Sequence, residues 1–247
     1  INLSPDHLDR YDGYEAYVRS KARLFDMQTA KQHSIFGNGD EDTLRIYGEV
    51  CERRGADVVH LADPAHISGQ QDWPSLQGPH NLQNVAVAVG LVEALGLTEA
   101  QWRPAMRSFK GLAHRMEVVA ERNGVLFVND SKATNAASTA PALAAYPRVH
   151  WIVGGLAKSD NLDECIPNFG HVVKAYTIGE AGPLFTKLLS PYMAVESSEM
   201  MGAAVHSAAA QAQAGDVIML SPACASFDQF KDFEARGDAF KAIVEAL

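Results

Sequence analysis

The chain has 247 residues, a mass of 26.7 kDa, a formal charge of −9 and a pI near 5.4. That length gives room for two modest domains, each burying its own core. The acidic balance excludes a general nucleic-acid binder, because phosphate affinity comes mainly from clustered Lys and Arg. Cys51, Cys165 and Cys224 lie far apart, which suits a reducing compartment and makes neither a disulfide framework nor a zinc site. No apolar run is long enough to span a bilayer. The chain opens Ile1-Asn2-Leu3 rather than with Met, so it reads as a fragment or a processed form, from which a targeting segment could be missing.

In chain order, a turn-rich opening, Asn2 to Arg10, is dense in acids around His7, and a helix is predicted from Gly13 to about Phe25. Residues 33 to 77 read as short strands and loops, with strands at Ser34-Ile35-Phe36 and Asp57 to Leu61 and a helix from Asp42 to Arg54 between them. Gly37-Asn38-Gly39-Asp40 lacks the third glycine of a dinucleotide fingerprint and is given no cofactor role. Asn81 to Leu95 reads as a buried helix, and Thr98 opens another, disturbed by Pro104 and ending near Gly111. Ala113 to Glu117 looks like a junction, where the polar His114 and Arg115 suit a ligand site or a wet linker.

From Gly124 the alternation becomes regular. Strands are predicted at Gly124 to Val128, Val149 to Val153, Val172 to Ile178, near Ala194 to Glu196, and Asp216 to Leu220. Helices fall between them at Ala136 to Tyr146, Asn161 to Phe169, Gly182 to Leu189 and Glu199 to Ala212. The pattern implies an α/β fold with a doubly wound parallel sheet. The last segment, Ser221 to Phe240, joins a buried strand to a helix. Ser226 with Gln229 three places on is a capping-box pattern, which would put a serine hydroxyl and free amides at a helix start, or be a structural cap and no more.

Open α/β sheets bind ligands at the carboxyl ends of their strands. Three such ends carry polar sets: Asn129 to Asn135, Gly154 to Asp160, and Ser221 to Ser226. With two lysines and several hydroxyls they suit a small dicarboxylate or phosphate better than a hydride carrier. Lys158 could hold one carboxylate, with Ser226, Thr134 and the amides near Phe227 holding another.

At these residues the chain resembles the Mur ligases of bacterial peptidoglycan synthesis. The matching stretches are Ser4 to Arg10, Lys21 to Phe25, Gly78 to Asn84, His114 to Glu117, Asn129 to Asn135, Gly154-Gly155 with Lys158, and Ser221 to Phe240. The last of these points to the branch that adds D-glutamate. The resemblance implies an ATP-dependent amide ligase, in which ATP phosphorylates the carboxylate of UDP-N-acetylmuramoyl-L-alanine and D-glutamate's amine attacks the acyl phosphate. It implies residues 1–114 as the latter part of a central ATP-binding domain and 115–247 as a Rossmann-like C-terminal domain, with a hinge near Lys110 to Arg115 and closure over ATP. By resemblance, His7 and a carbamylated Lys21 hold Mg2+, and His114 lies beside the reaction centre. Asn81, Asn84, Arg115, Asp130 and Lys132 surround ATP, and Thr134, Lys158, Ser226 and Phe233 form the D-glutamate pocket. A cytoplasmic monomer is expected, binding small molecules and no nucleic acid.

The sequence departs from the family in two ways. It has no Gly-x-x-x-x-Gly-Lys-Ser/Thr phosphate loop and no preceding uridine-nucleotide domain, so the chain is expected to be part of a longer ligase and inactive alone. Leu156-Ala157 also replaces a more polar, glycine-containing pair before Lys158. The alternatives are another amide ligase of the same superfamily, including a folate-glutamylating one, or a binding fragment that does not turn over. A Rossmann dehydrogenase is weaker, since no glycine fingerprint follows any strand.

Overall fold

The computed structural model describes residues 1–5 and 10–247, which leaves His7 outside the described residues. The chain divides into two compact units: Ile1–Trp73 with His80–Ser108, and Pro74–Pro79 with Phe109–Leu247.

The first unit is built around a small βαβ element. Strands β1 (Ser34–Phe36) and β2 (Val59–Leu61) pair in parallel, and helix α2 (Glu41–Arg54) connects them. Helix α2 starts where it does because the Asp40 side chain caps it, accepting from Thr43 N at 2.8 Å and from the Thr43 hydroxyl at 2.7 Å. The glycine-rich loop before it is thus a helix entrance. Phe36, Ile46, Val50 and Val59 pack with Val18 of helix α1 (Gly13–Asp26) into one core. Helix α3 (Pro79–Ala94) buries Asn81, Val85, Ala86, Val87 and Val89, while Leu91 and Leu95 stay exposed at 46% and 79%. The buried helix expected there is thus formed, with Leu91 and the residue just past its end, Leu95, left in solvent. Helix α4 (Glu99–Ser108) runs through Pro104 and anchors the buried Trp102, whose indole N–H donates to Glu93 at 3.1 Å.

The second unit is a six-stranded sheet in the order β3-β4-β8-β5-β6-β7. Strands β4 (Val125–Asn129), β8 (Val217–Leu220), β5 (Val149–Gly154), β6 (Val172–Ile178) and β7 (Val195–Glu199) are mutually parallel, and β3 (Glu117–Arg122) is an antiparallel edge on β4. The parallel strands read as apolar runs because both faces are covered. Val149, Trp151, Val153, Val217 and Met219 face helices α5 (Ala136–Leu143) and α6 (Gly182–Leu189) and a 3-10 segment at Asp163–His171. Ile152, Ile218 and Leu220 face α7 (Met201–Gln211) and α8 (Phe233–Glu245). Helices thus lie on both faces, as the alternation predicts.

Two expectations change. Strand β3 was not predicted, because every residue in it is half-buried or exposed and its pairing comes from the turn into β4. The final helix starts at Phe233, capped by Asp232, whose carboxylate accepts from Ala235 N at 2.7 Å. Ser226 only closes one turn, with Phe230 N donating to its carbonyl at 2.8 Å, so the expected helix start at Ser226 is not formed. His114 is built into the second compact unit, where its ring meets Asn129.

Candidate active site

At the carboxyl edge of the second sheet, the loops after β4, β5 and β8 are tied into one body by Arg236, a residue to which the sequence reading gave no role. Its side chain is buried, with 1% exposed. It donates to the Ser131 hydroxyl at 2.9 Å and carbonyl at 2.8 Å, and to the carbonyls of Cys224 and Ala225 at 3.0 and 3.2 Å. Burial pulls the guanidinium down to about 10, which still leaves it charged at neutral pH. Because the planar fork finds several oxygens at once, the cation can stay buried among dipoles. The loop after β5 joins the same body. Leu156 and Ala225 exchange backbone hydrogen bonds of 2.9 Å each, and a β-carbon on Gly155 would collide with the Ala225 carbonyl. Leu156, the departure from the family's usual loop, thus serves as a backbone pairing position. Asp228 extends the brace to the loop after β6, accepting from Glu180 N at 3.0 Å.

The turn before β3 supplies a second group. His114 and Met116 both have positive φ, 62° and 48°, so the chain kinks on either side of the exposed Arg115. Two carboxylates take the turn's amides: His114 N donates to Glu117 Oε2 at 2.9 Å and Met116 N to Asp130 Oδ1 at 3.2 Å. Lys132 N closes the circuit on the His114 carbonyl at 2.9 Å. His114 is buried, 6% exposed, with its ring edge-to-face with Phe233 at 6.0 Å between centroids. Lys132 Nζ lies 4.1 Å from the centroid of the same Phe233 ring. His114, Arg115, Lys132 and Phe233 are therefore neighbours in space, although the first and last lie 119 positions apart in sequence.

Asp130 sits beneath them as an organiser. Its Oδ2 accepts from the Ser221 hydroxyl at 2.8 Å, and Ser221 also reaches Thr139 at 3.1 Å. Burial is the largest influence and pushes the Asp130 carboxyl up to about 7, against the hydrogen bonds of Ser221 and Met116 and the charge of Arg115, which lower it. Its oxygens face inward and already have donors.

Four residues are expected from the sequence to line an amino-acid pocket. Thr134 and Lys158 approach each other, Nζ to Oγ1 at 3.5 Å, with Lys158 exposed. Ser226 is buried, 2% exposed, and sits beside Ala225 in the loop that Arg236 holds, while Phe233 contributes to the His114 side of the unit. In the first unit, Asn81 and Asn84 share one turn of α3, with Asn84 Nδ2 donating to Asn81 Oδ1 at 3.3 Å. Lys21 is exposed on α1, its ammonium 5.3 Å from the Tyr17 ring centroid. Among the described residues, no group of three or more His, Cys, Asp or Glu side chains is placed to hold a metal ion.

Comparison with known proteins follows the same division. The Mur ligase middle domain model matches residues 1–69, and the Mur ligase glutamate ligase domain model matches 114–224. Over its whole length the chain is 66% identical to a UDP-N-acetylmuramoylalanine--D-glutamate ligase of Novosphingobium aromaticivorans, covering 56% of that protein. It is 51% identical to the ligase of the same name from Sphingopyxis alaskensis, covering 57% of it. The chain thus spans somewhat more than half the length of these relatives. Among solved structures, a UDP-N-acetylmuramoylalanyl-D-glutamyl-2,6-diaminopimelate--D-alanyl-D-alanyl ligase from Acinetobacter baumannii superposes with a TM-score of 0.64 at 14% identity, over 99% of this chain and 57% of that one. Escherichia coli FolC, solved with DHPP and ADP, gives 0.62 at 17%, over 99% and 60%. At those identities the likeness concerns the fold alone.

Proposed function

Because the chain belongs to the Mur ligase family, with its middle and glutamate ligase domains, we propose that it is the ATP- and amino-acid-handling part of a ligase joining D-glutamate to UDP-N-acetylmuramoyl-L-alanine. The observation that carries the reading is the 66% identity, along the whole chain, to a relative bearing that activity in its name. The loop body at the carboxyl edge of the second sheet supports it, since a parallel α/β sheet offers its ligand crevice there.

ATP, when bound with Mg2+, would supply the phosphoryl group that turns the substrate carboxylate into an acyl phosphate. The donor set at the second unit's edge suits an anionic nucleotide: Arg115 and Lys132 are exposed cations on adjoining turns, and Asp130 keeps its oxygens turned inward to hold those turns. Asn81 and Asn84 are proposed as further amide contacts to the nucleotide. Lys158 would pair with one carboxylate of D-glutamate, with Thr134 beside it and Ser226 and Phe233 completing the pocket. His114 would stand next to the reacting atoms.

For the metal, His7 and Lys21 are the proposed holders, with Lys21 as a carbamate that replaces a cation by a carboxylate-like ligand. The described residues supply no metal-binding cluster of their own, so no step here is routed through Mg2+. Lys21→Ala in the intact enzyme is expected to abolish activity that acetate partly restores; absence of rescue would leave Lys21 structural or directly cationic. No helix among the described residues is long and apolar enough to cross a membrane, and we take the enzyme to be a cytoplasmic monomer. The acyl-phosphate route is tested by 18O labelling of the substrate carboxylate, which must transfer label to the released phosphate. Unlabelled phosphate would refute it.

A further inference from the structure

We propose that Asn129 and Glu117 are positioning residues that hold neutral His114 in one tautomer, with Nδ1 bare and Nε2 protonated, so that the imidazole offers an N–H to the open side of the site. The functional consequence rests on the reading of His114 as a neighbour of the reacting atoms. The tautomer itself does not.

Ser131 N donates to Asn129 Oδ1 at 3.2 Å, which fixes the carboxamide with its oxygen toward Ser131 and its nitrogen toward His114. Asn129 is fully buried, so no solvent competes for that nitrogen. Nδ2 faces three groups: Glu117 Oε2 at 3.1 Å, His114 Nδ1 at 3.1 Å and the Gly237 carbonyl at 3.2 Å. The two amide hydrogens are shared among these three acceptors; a proton on Nδ1 would point at a donor nitrogen 3.1 Å away, and the nearest carboxylate oxygen it could seek instead, Glu117 Oε2, lies at 3.9 Å, so the geometry favours a bare Nδ1 in the neutral ring. The proton is then on Nε2, whose nearest charged group is the exposed Asp238 carboxylate at 3.8 Å.

Glu117 fixes the same unit from the other side. One oxygen, Oε2, takes both the Asn129 amide and the His114 backbone N–H, which holds the ring and its kinked backbone together. Its other oxygen lies 3.5 Å from Lys241 Nζ, and Lys241 also reaches Asp238 at 3.2 Å. Gly237 leaves space for the arrangement, since a β-carbon there would collide with His114 Nδ1. A histidine held this way is a hydrogen-bond donor to an anionic oxygen through Nε2. It is not an acceptor that could take a proton from an incoming amine at that atom.

The test is long-range 1H–15N correlation of the imidazoles at pH 8.5, with His114→Gln used to identify the His114 signals. The unmodified protein is expected to show bare Nδ1 and protonated Nε2; the opposite pattern overturns the assignment. Asn129→Asp replaces the donor by an acceptor and is expected to invert the pattern. Asn129→Ala carries no buried charge and is expected to give a mixture of both tautomers. An unmixed Nε2–H pattern in Asn129→Ala would remove Asn129 from the role. In the intact enzyme, Asn129→Ala should lower kcat by on the order of a hundredfold with the KM for ATP unchanged. A failed tautomer assignment would leave the ligase reading standing, and an enzyme that never uses D-glutamate would leave the tautomer assignment standing.

Discussion

Asp130 offers a quantitative check on the loop body, because its environment opposes its own ionisation. Burial raises its carboxyl from 3.8 to about 7. Below about pH 4 the group is protonated in folded and unfolded chains alike, and its contribution does not depend on pH. Between about pH 4 and 7 the unfolded chain ionises while the folded chain does not, so stability falls by about 1.4 kcal/mol per pH unit. Above pH 7 the loss is constant at about 4 kcal/mol. Asp130→Asn imitates the protonated carboxyl. Its oxygen can still accept from Met116 N, and its amide can donate to Ser221, whose hydroxyl then turns toward Thr139. The variant should therefore match the parent protein near pH 4 and exceed it progressively, reaching about 4 kcal/mol by pH 8. Urea denaturation of both proteins between pH 4 and 8.5, with hydrogen exchange read at the β4 and β8 amides, measures the difference, and ionisations common to both cancel. A pH-independent difference, or a variant less stable at pH 8, would refute the reasoning.

Further predictions concern the same loops. Arg236→Ala should cost about 3–5 kcal/mol, because it leaves a cavity and strands several buried oxygens; a loss under 1 kcal/mol in urea denaturation would mean that the brace is dispensable. Gly237→Ala should destabilise by about 1–3 kcal/mol through the forced shift of His114, and an unshifted His114 resonance in that variant would contradict the close approach. Lys158→Ala should raise the KM for the acidic amino acid in the intact enzyme while sparing that for ATP, and an unchanged KM would remove Lys158 from the pocket.

The parallel sheet was legible because its strands are buried on both faces: Val149 to Gly154 and Val217 to Leu220 are closed to solvent along their whole length. Strand β3 was not, since Glu117-Val118-Val119-Ala120-Glu121-Arg122 has neither a long apolar run nor strict alternation, and pairing with β4 decides its conformation. The helix start was misplaced by a local pattern. Ser226 and Gln229 have capping-box spacing, but residues 226–232 turn and bend before Asp232, an equally good cap, begins α8. The candidate site was legible mainly through likeness to a family, since spacing cannot say that His114 meets Phe233 or that Lys132 lies over its ring. One signal was nonetheless available: Phe233, Arg236, Gly237 and Phe240 recur at helical spacing, so Arg236 falls on the stripe that α8 buries. An arginine on such a stripe asks for oxygens to hold it, and the loops after β4 and β8 provide them. The partnership of Asn129 with Glu117 and His114 depends on β3, and was hidden with it.

The most direct measurement of the central claim is phosphate release from ATP by the intact enzyme supplied with UDP-N-acetylmuramoyl-L-alanine and, in turn, D-glutamate, L-glutamate, D-aspartate and a glutamylated folate acceptor with L-glutamate. Release is expected to depend on D-glutamate and on the muramyl substrate together, with a new amide bond formed between them. Equal release with L-glutamate, or release with the folate acceptor alone, would contradict it.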